Sequence, residues 1–190
     1  MSQAHRREKQ PEQVRRSILD QAARSAAEAG LSAITLQSVA ASATVTKGGL
    51  LHHFSSKQAL VEAVFADLLA KLDDEIDRLI ENDTASPGRF TRAYIEAFFQ
   101  VTREGAGSPW AALSVSCMND PKLRALWSDW MRGRIERHAD TDNHPVLQIA
   151  RYAADGIWLA NLMENNGVEP QDLERLRMEL RKMTEIEAPR

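Results

Sequence analysis

Residues 44–60 read TVTKGGLLHHFSSKQAL, with Gly48 and Gly49 side by side inside sequence that otherwise forms helix. Each glycine costs a helix interior roughly 0.8–1 kcal/mol relative to alanine. A chain accepts two in succession in a loop, or in a short helix whose backbone must lie very close to something else. The flanking residues choose between the two. Thr35 can cap a helix that buries Leu36, Val39 and Ala40 and ends near Ala43. Thr46 can cap a second, over 47–52, with Leu50 and Phe54 as apolar anchors. Packed on a longer preceding helix over 14–29, this pair has the helix-turn-helix arrangement, whose second helix enters the major groove of DNA. A groove about 12 Å wide brings backbone close to bases, which glycine permits, and Lys47 supplies charge. Ser55 and Ser56 can then cap the next helix, Ser55 with Gln58 fitting a capping box, and that helix's N-terminus carries Lys57 and suits a phosphate.

Outside this stretch, proline marks the helix starts. Ser86-Pro87, Ser108-Pro109 and Asp120-Pro121 place a capping residue before proline. His144-Pro145, Glu169-Pro170 and Pro11 also precede periodic segments. Between these marks the apolar spacing is helical, as in Val61, Val64, Phe65, Leu68 and Leu72 on the long segment 57–80. No alternating strand, repeat or low-complexity linker is found. The expected fold is all-α with about nine helices, divided into a helix-turn-helix domain over 1–56 and a second domain over 57–190.

Composition narrows the class. At 43% apolar and 27% charged, 190 residues suffice for a sizeable core. The opening MSQAHRREKQ is unlike a secretory signal, no run reaches the length of a membrane span, and the lone Cys117 suits a reducing cytoplasm. The net charge of −3 hides an asymmetry: residues 1–60 hold eight basic and four acidic groups, whereas the remainder holds 16 and 23. A basic head, including Arg6, Arg7 and Lys9, on an acidic body suggests that the head meets a polyanion.

Residues 14–65 resemble the DNA-binding domain of the TetR/AcrR family of bacterial transcriptional repressors. Thr35, Val39, Ala40, Ala43, Val45, Lys47, Gly48, Leu50, His52, His53, Phe54, Ser56, Lys57 and Leu60 stand where that family's pattern places the same or similar residues. Three positions depart from it. Thr44 replaces the turn glycine, Gly49 the usual threonine, and Leu51 the tyrosine that often touches a phosphate. By position, Gln37, Lys47, Gly48 and Gly49 are expected to face base edges, and Thr35, His52, His53 and Lys57 phosphates; Thr46 and Leu51 complete the candidate set. The histidine pair points to two helix faces and lacks supporting ligands, so no metal or other cofactor is expected.

The body carries all four tryptophans: Trp110, Trp127, Trp130 and Trp158. With Phe98, Phe99, Cys117, Met118, Met131 and Met163 they are residues that pack a core or line an apolar pocket. The resemblance favours a small-molecule pocket, with Tyr94, Glu96, Asp155 or Asn161 as candidate polar contacts. It also implies a homodimer through the last two helices. There Ile149, Ala153 and Ile157 share one segment, and Leu173, Leu176 and Leu180 form a stripe on the other. The expected function is a ligand-responsive repressor on a pseudo-palindromic operator, released by an inducer. The alternative is a filled body acting through protein partners. An enzyme is not expected: Cys117 has no histidine near it in sequence, and Asp73-Asp74-Glu75 reads as a solvated helix face.

Overall fold

The computed structural model describes residues 3–85, 87–163 and 168–186, with side chains from residue 11 onward. The arm side chains Arg6, Arg7 and Lys9, and the capping residue Ser86, lie outside the described residues. Ten α-helices and one 3-10 turn, Leu31–Ala33, are found among the described residues, and no strand. They are α1 (Gln3–Ala29), α2 (Leu36–Ser42), α3 (Lys47–His53), α4 (Lys57–Glu81), α5 (Arg89–Glu104), α6 (Pro109–Cys117), α7 (Pro121–Arg137), α8 (Ala139–Asp142), α9 (Pro145–Met163) and α10 (Pro170–Met183).

Local capping chemistry fixes most of the starts. Ser108 accepts from Ala111 N at 3.1 Å, and Asp120 Oδ1 from Lys122 N at 2.8 Å, each just before its proline. The His144 imidazole takes the same role, its Nδ1 accepting from Val146 N at 3.2 Å. Three expectations are corrected. Pro11 does not open α1 but sits inside it, in a Gln/Glu/Lys/Arg-rich stretch of strong helix formers. Of the two serines expected to cap α4, Ser56 does so and the Ser55–Gln58 box does not form: the helix begins at Lys57, so the hydroxyl one residue earlier reaches Ala59 N at 3.0 Å. Gln58 is thereby free to donate to Asp120 Oδ2 at 2.9 Å. Finally, α5 opens two residues beyond Pro87, with the left-handed Gly88 as its N-cap.

The chain divides into two compact units, Met1–Leu68 with Gly107–Leu126 and Leu69–Ala106 with Trp127–Arg190. In the first, α1, α2 and α3 bury Ile18, Ala22, Val39 and Leu50 against one another, and Phe65 stacks on Trp110 with ring centroids 6.1 Å apart. In the second, α5 is central: Phe90, Tyr94, Ile95, Phe98 and Phe99 are buried, and α9 and α10 lie against it. Asp142, buried at the end of α8, accepts from Thr91 N at 2.8 Å and Phe90 N at 3.3 Å. That supplies the α5 start with the acceptor its own cap lacks.

Candidate DNA-reading face and candidate effector site

The reading face is built from the α2–α3 turn. Thr35 Oγ1 accepts from Ser38 N at 3.0 Å while Ser38 Oγ accepts from Thr35 N, a reciprocal box that starts α2. Thr46 Oγ1 accepts from Gly49 N at 3.0 Å and starts α3. Between them Thr44 adopts φ 57°, the left-handed region where a β-branched residue is strained. Gly48 and Gly49 have helical backbone. A Cβ on Gly48 would meet nothing nearer than Thr46 Oγ1 at 3.9 Å, whereas one on Gly49 would crowd the same atom at 3.3 Å. The chain's own structure therefore does not require glycine at 48.

Gln37, Lys47, Leu51 and His52 are exposed on α2 and α3, and His53 is half-buried. The two imidazoles meet edge to face, 5.6 Å apart. Lys57 donates its ammonium to Leu31 O at 3.1 Å, fastening α4 to the 3-10 turn while remaining exposed. Two other cations of the head are engaged within it: Arg16 pairs with Asp20 and Asp67 at 2.6 Å, and Arg15 lies over the Phe54 ring at 5.4 Å.

The predicted pocket residues are divided between the two units. Trp110, Cys117 and Met118 belong to the first unit, where Trp110 is core and Met118 is 52% exposed. Burial pushes the Cys117 thiol up to about 11, so it is protonated at neutral pH. A separate open cleft of about 650 Å³ in that unit is lined by Leu31, Gln58, Ser116, Asn119, Asp120, Pro121 and Lys122, none of them a predicted ligand contact. Tyr94, Phe98, Trp127, Trp130, Met131 and Trp158 belong to the second unit. There Tyr94 stacks on Phe98 at 4.3 Å, Phe98 meets Trp127 edge to face at 6.0 Å, and Trp127 meets Trp130 at 5.1 Å.

One acid joins this cluster. Tyr94 Oη donates to Asp155 Oδ1 at 2.5 Å. Burial raises the Asp155 carboxyl to about 6, against the opposing pull of the Tyr94 hydrogen bond and the Arg151 charge. Burial, reinforced by Asp155, also holds the Tyr94 phenol well above its ordinary value. Of the other polar candidates, Glu96 is tied to Arg177 and Arg181 at 2.5 and 2.7 Å. Asn161 bridges Thr102 O and Val168 N at 3.2 and 2.8 Å. Both therefore serve structure.

Comparison with known proteins is consistent along the chain. Residues 18–64 match the family described as bacterial regulatory proteins, tetR family, and residues 88–185 the tetracyclin repressor-like C-terminal domain. An HTH-type transcriptional regulator BetI of Burkholderia cenocepacia is 30% identical over 166 residues, covering 82% of this chain and 85% of its own. The chain belongs to the TetR family. The HTH-type transcriptional repressor KstR2 of Mycolicibacterium smegmatis is 34% identical over 97 residues, 51% of this chain and 47% of that one. Among solved structures, the TetR-family regulator SCO4454 of Streptomyces coelicolor superposes with a TM-score of 0.72 at 16% identity, covering 97% and 95% of the two chains. The multidrug binding protein EbrR, complexed with malachite green, gives 0.65 at 22%, covering 89% and 96%. As a TetR-family chain the protein is a DNA-binding transcriptional regulator. No described helix is long and apolar enough to cross a membrane.

Sequence reasoning missed Arg134, Asp142 and Arg151 of this TetR-family chain, all buried. No local signal marks them, because each is matched to a partner more than 50 positions away. Asp155 carries a measurable consequence. Its unfolded form loses its proton near 3.8 and its folded form near 6, so folding stability falls as pH rises across that interval and stays lower above it. Asp155→Asn keeps an acceptor for Tyr94 but removes the buried charge. The variant should be more stable than wild type by on the order of 2 kcal/mol at pH 8 and little different at pH 4. Thermal melts at the two pH values check this; an equal gain at both would remove the charge from the explanation.

Proposed function

We propose that this regulator is a ligand-responsive repressor. A cytoplasmic homodimer holds a pseudo-palindromic operator through two copies of α3, and a small molecule bound in the domain over 57–190 releases it. The domain over 1–56 then does the reading. The observation that carries this is Gly48, exposed in a helical position where alanine would fit and would favour the helix. The glycine fits a close neighbour outside the subunit. Lys47 beside it and the exposed Gln37 and His52 suit a groove wall of bases and phosphates.

Gly48→Ala should therefore move two measurements in opposite directions. The free protein gains roughly 0.5–1 kcal/mol of stability from helix propensity, while operator affinity drops by about tenfold or more, since 1.4 kcal/mol of lost approach suffices. The DNA is the stretch upstream of the chain's own gene, or a site recovered by selection from random sequence, titrated against salt beside a scrambled competitor. Wild-type affinity should fall steeply with salt. Affinity untouched by Gly48→Ala would sink the groove reading.

Dimerisation is supported by the outer side of α9 and α10, where Ile149, Tyr152, Met163 and Met178 are at least half exposed. Ala153, Ile157 and Leu176 are partly covered beside them, whereas Leu173 and Leu180 are spent inside the subunit against its own helices. Two such subunits would present recognition helices about 34–36 Å apart. Effector release needs a coupling of about 1–3 kcal/mol, and it is reciprocal: DNA must weaken effector binding by the same factor. The effector reading draws on the aromatic cluster around Asp155 and on the dye complexes of EbrR. The close stacking of Tyr94 on Phe98 favours, instead, a filled body working through protein contacts. A compound screen for release of operator DNA separates the two, and release by no compound would favour the second.

A further inference from the structure

Packing fixes which way α3 faces. Leu50 is wholly buried and Phe54, at the C-terminal cap, is 4% exposed, so that side of the helix rests on the head. At about 100° per residue, Lys47, Gly48, Leu51 and His52 turn away from this anchor, and all four are exposed. Leu51 is the odd one among them. It is 38% exposed, and no other large apolar side chain among the described residues over 11–60 is as open. A lone apolar residue on a surface needs no explanation by itself. The register of Leu51 does need one. It follows Lys47 by four positions and Gly48 by three, which makes the three neighbours on one face. Side chains of a helix lean toward its N-terminus, so Leu51 covers the turn where the missing side chain of Gly48 lets the backbone come closest to a neighbour.

Leucine has no hydrogen-bonding group, so it cannot hold a phosphate as a tyrosine at this position could. Nor does it suit most base edges. In the major groove guanine, cytosine and adenine present donors and acceptors, and a hydrocarbon pressed on them takes those groups out of water without replacing their hydrogen bonds, which is unfavourable. Thymine differs, because its C5-methyl group stands in the groove and gains from being covered. Resting on the reading face proposed above, we infer that Leu51 is a specificity residue: its side chain packs on a thymine methyl in the major groove of each half-site. Leucine at 51 thus gives α3 a contact that reads one base, where a phosphate contact would be blind to sequence. The exposed Gln37 and Lys47 remain for the hydrogen-bonding edges on either side.

The test compares thymine with uracil, which lacks only the C5-methyl group. The full chain selects its site from random duplex DNA, and each thymine of the recovered half-site is replaced in turn by uracil. One position should cost the wild type about fourfold in affinity per half-site, the worth of one covered methyl. Leu51→Ala should bind the thymine and uracil forms of that position equally, while keeping any uracil cost found elsewhere in the site. Alanine is a good helix former at an exposed position, and a thermal melt verifies that the variant is folded. A leucine that merely shaped α3 would weaken both DNAs alike on substitution and leave the uracil cost intact. That result overturns the assignment, as does a half-site with no thymine or with none that responds to uracil. The two readings fail separately. A chain that selects no sequence, or whose Gly48→Ala variant binds the selected site at full affinity, loses the reading face and Leu51 with it. A site sensitive to Gly48→Ala but indifferent to uracil removes Leu51 alone.

Discussion

Arg134→Met is expected to destabilise the second unit by about 3 kcal/mol, lowering its melting temperature by roughly 6–12 °C. The Arg134 side chain is 1% exposed. Its Nε donates to Asp73 Oδ1 at 2.5 Å, its Nη2 to Asp73 O at 2.8 Å, and its Nη1 to Asp77. Trp130 Nε1 donates to the same Asp73 oxygen at 2.7 Å. Methionine keeps most of the volume but strands two carboxylates that face the vacated site. Breaking a buried pair from one side costs about 3–5 kcal/mol. The low end applies here because Asp73 and Asp77 are 30% and 50% exposed and regain some water. The decisive control is the combination of Arg134→Met with Asp73→Asn and Asp77→Asn. Removing both signs together should recover at least half of the loss, because the penalty lies in the orphaned charge. A triple variant as unstable as the single one would assign the loss to shape instead.

Much of the first unit is legible from the sequence because its determinants are local. Thr35, Thr46 and Ser108 cap the helix that begins one residue later, and each cap is a contact across three positions. Thr44 stands where the resemblance places a turn glycine, and the left-handed φ of 57° it adopts between α2 and α3 is what that position demands. The second unit is less legible because its polar contacts are long-range. The run Asp73-Asp74-Glu75 reads as a solvated face, and for Glu75, paired with Arg78 a turn away, that is adequate. Asp73 is different only because α7 brings Arg134 to it from 61 positions on. The tryptophans show the same limit. Within their units, α6 sets Trp110 against Phe65 and α7 sets Trp127 against Phe98, and no local spacing announces either pairing. The Leu173–Leu180 stripe likewise tells which side of α10 is buried; it does not tell that the cover is α5 and α9 of the same chain.

Gly88→Ala should cost the fold about 2–4 kcal/mol, although alanine adds a single methyl group. Gly88 has φ 85°, where an L side chain is strained by roughly 1–2 kcal/mol. Space adds to the backbone term. A Cβ at 88 would stand 3.0 Å from both Arg92 Nη1 and the backbone oxygen of Thr184, and 3.3 Å from Leu147. Arg92 cannot simply swing aside. Its buried guanidinium holds Asp83 at 2.6 Å and Pro87 O at 2.9 Å, and also donates to Ala85 O, so one side chain secures the turn before α5. Thr184, fully buried at the end of α10, fixes the other wall. Asparagine separates the two causes, because it tolerates the left-handed region yet still brings a Cβ into the gap. Equal losses in Gly88→Ala and Gly88→Asn by thermal melting assign the cost to crowding between α5 and α10. A near-native Gly88→Asn beside a damaged Gly88→Ala assigns it to the backbone alone. If both melt like wild type, the ends of α5 and α10 do not approach as closely as described, and Arg92 is not the fixed wall its hydrogen bonds imply.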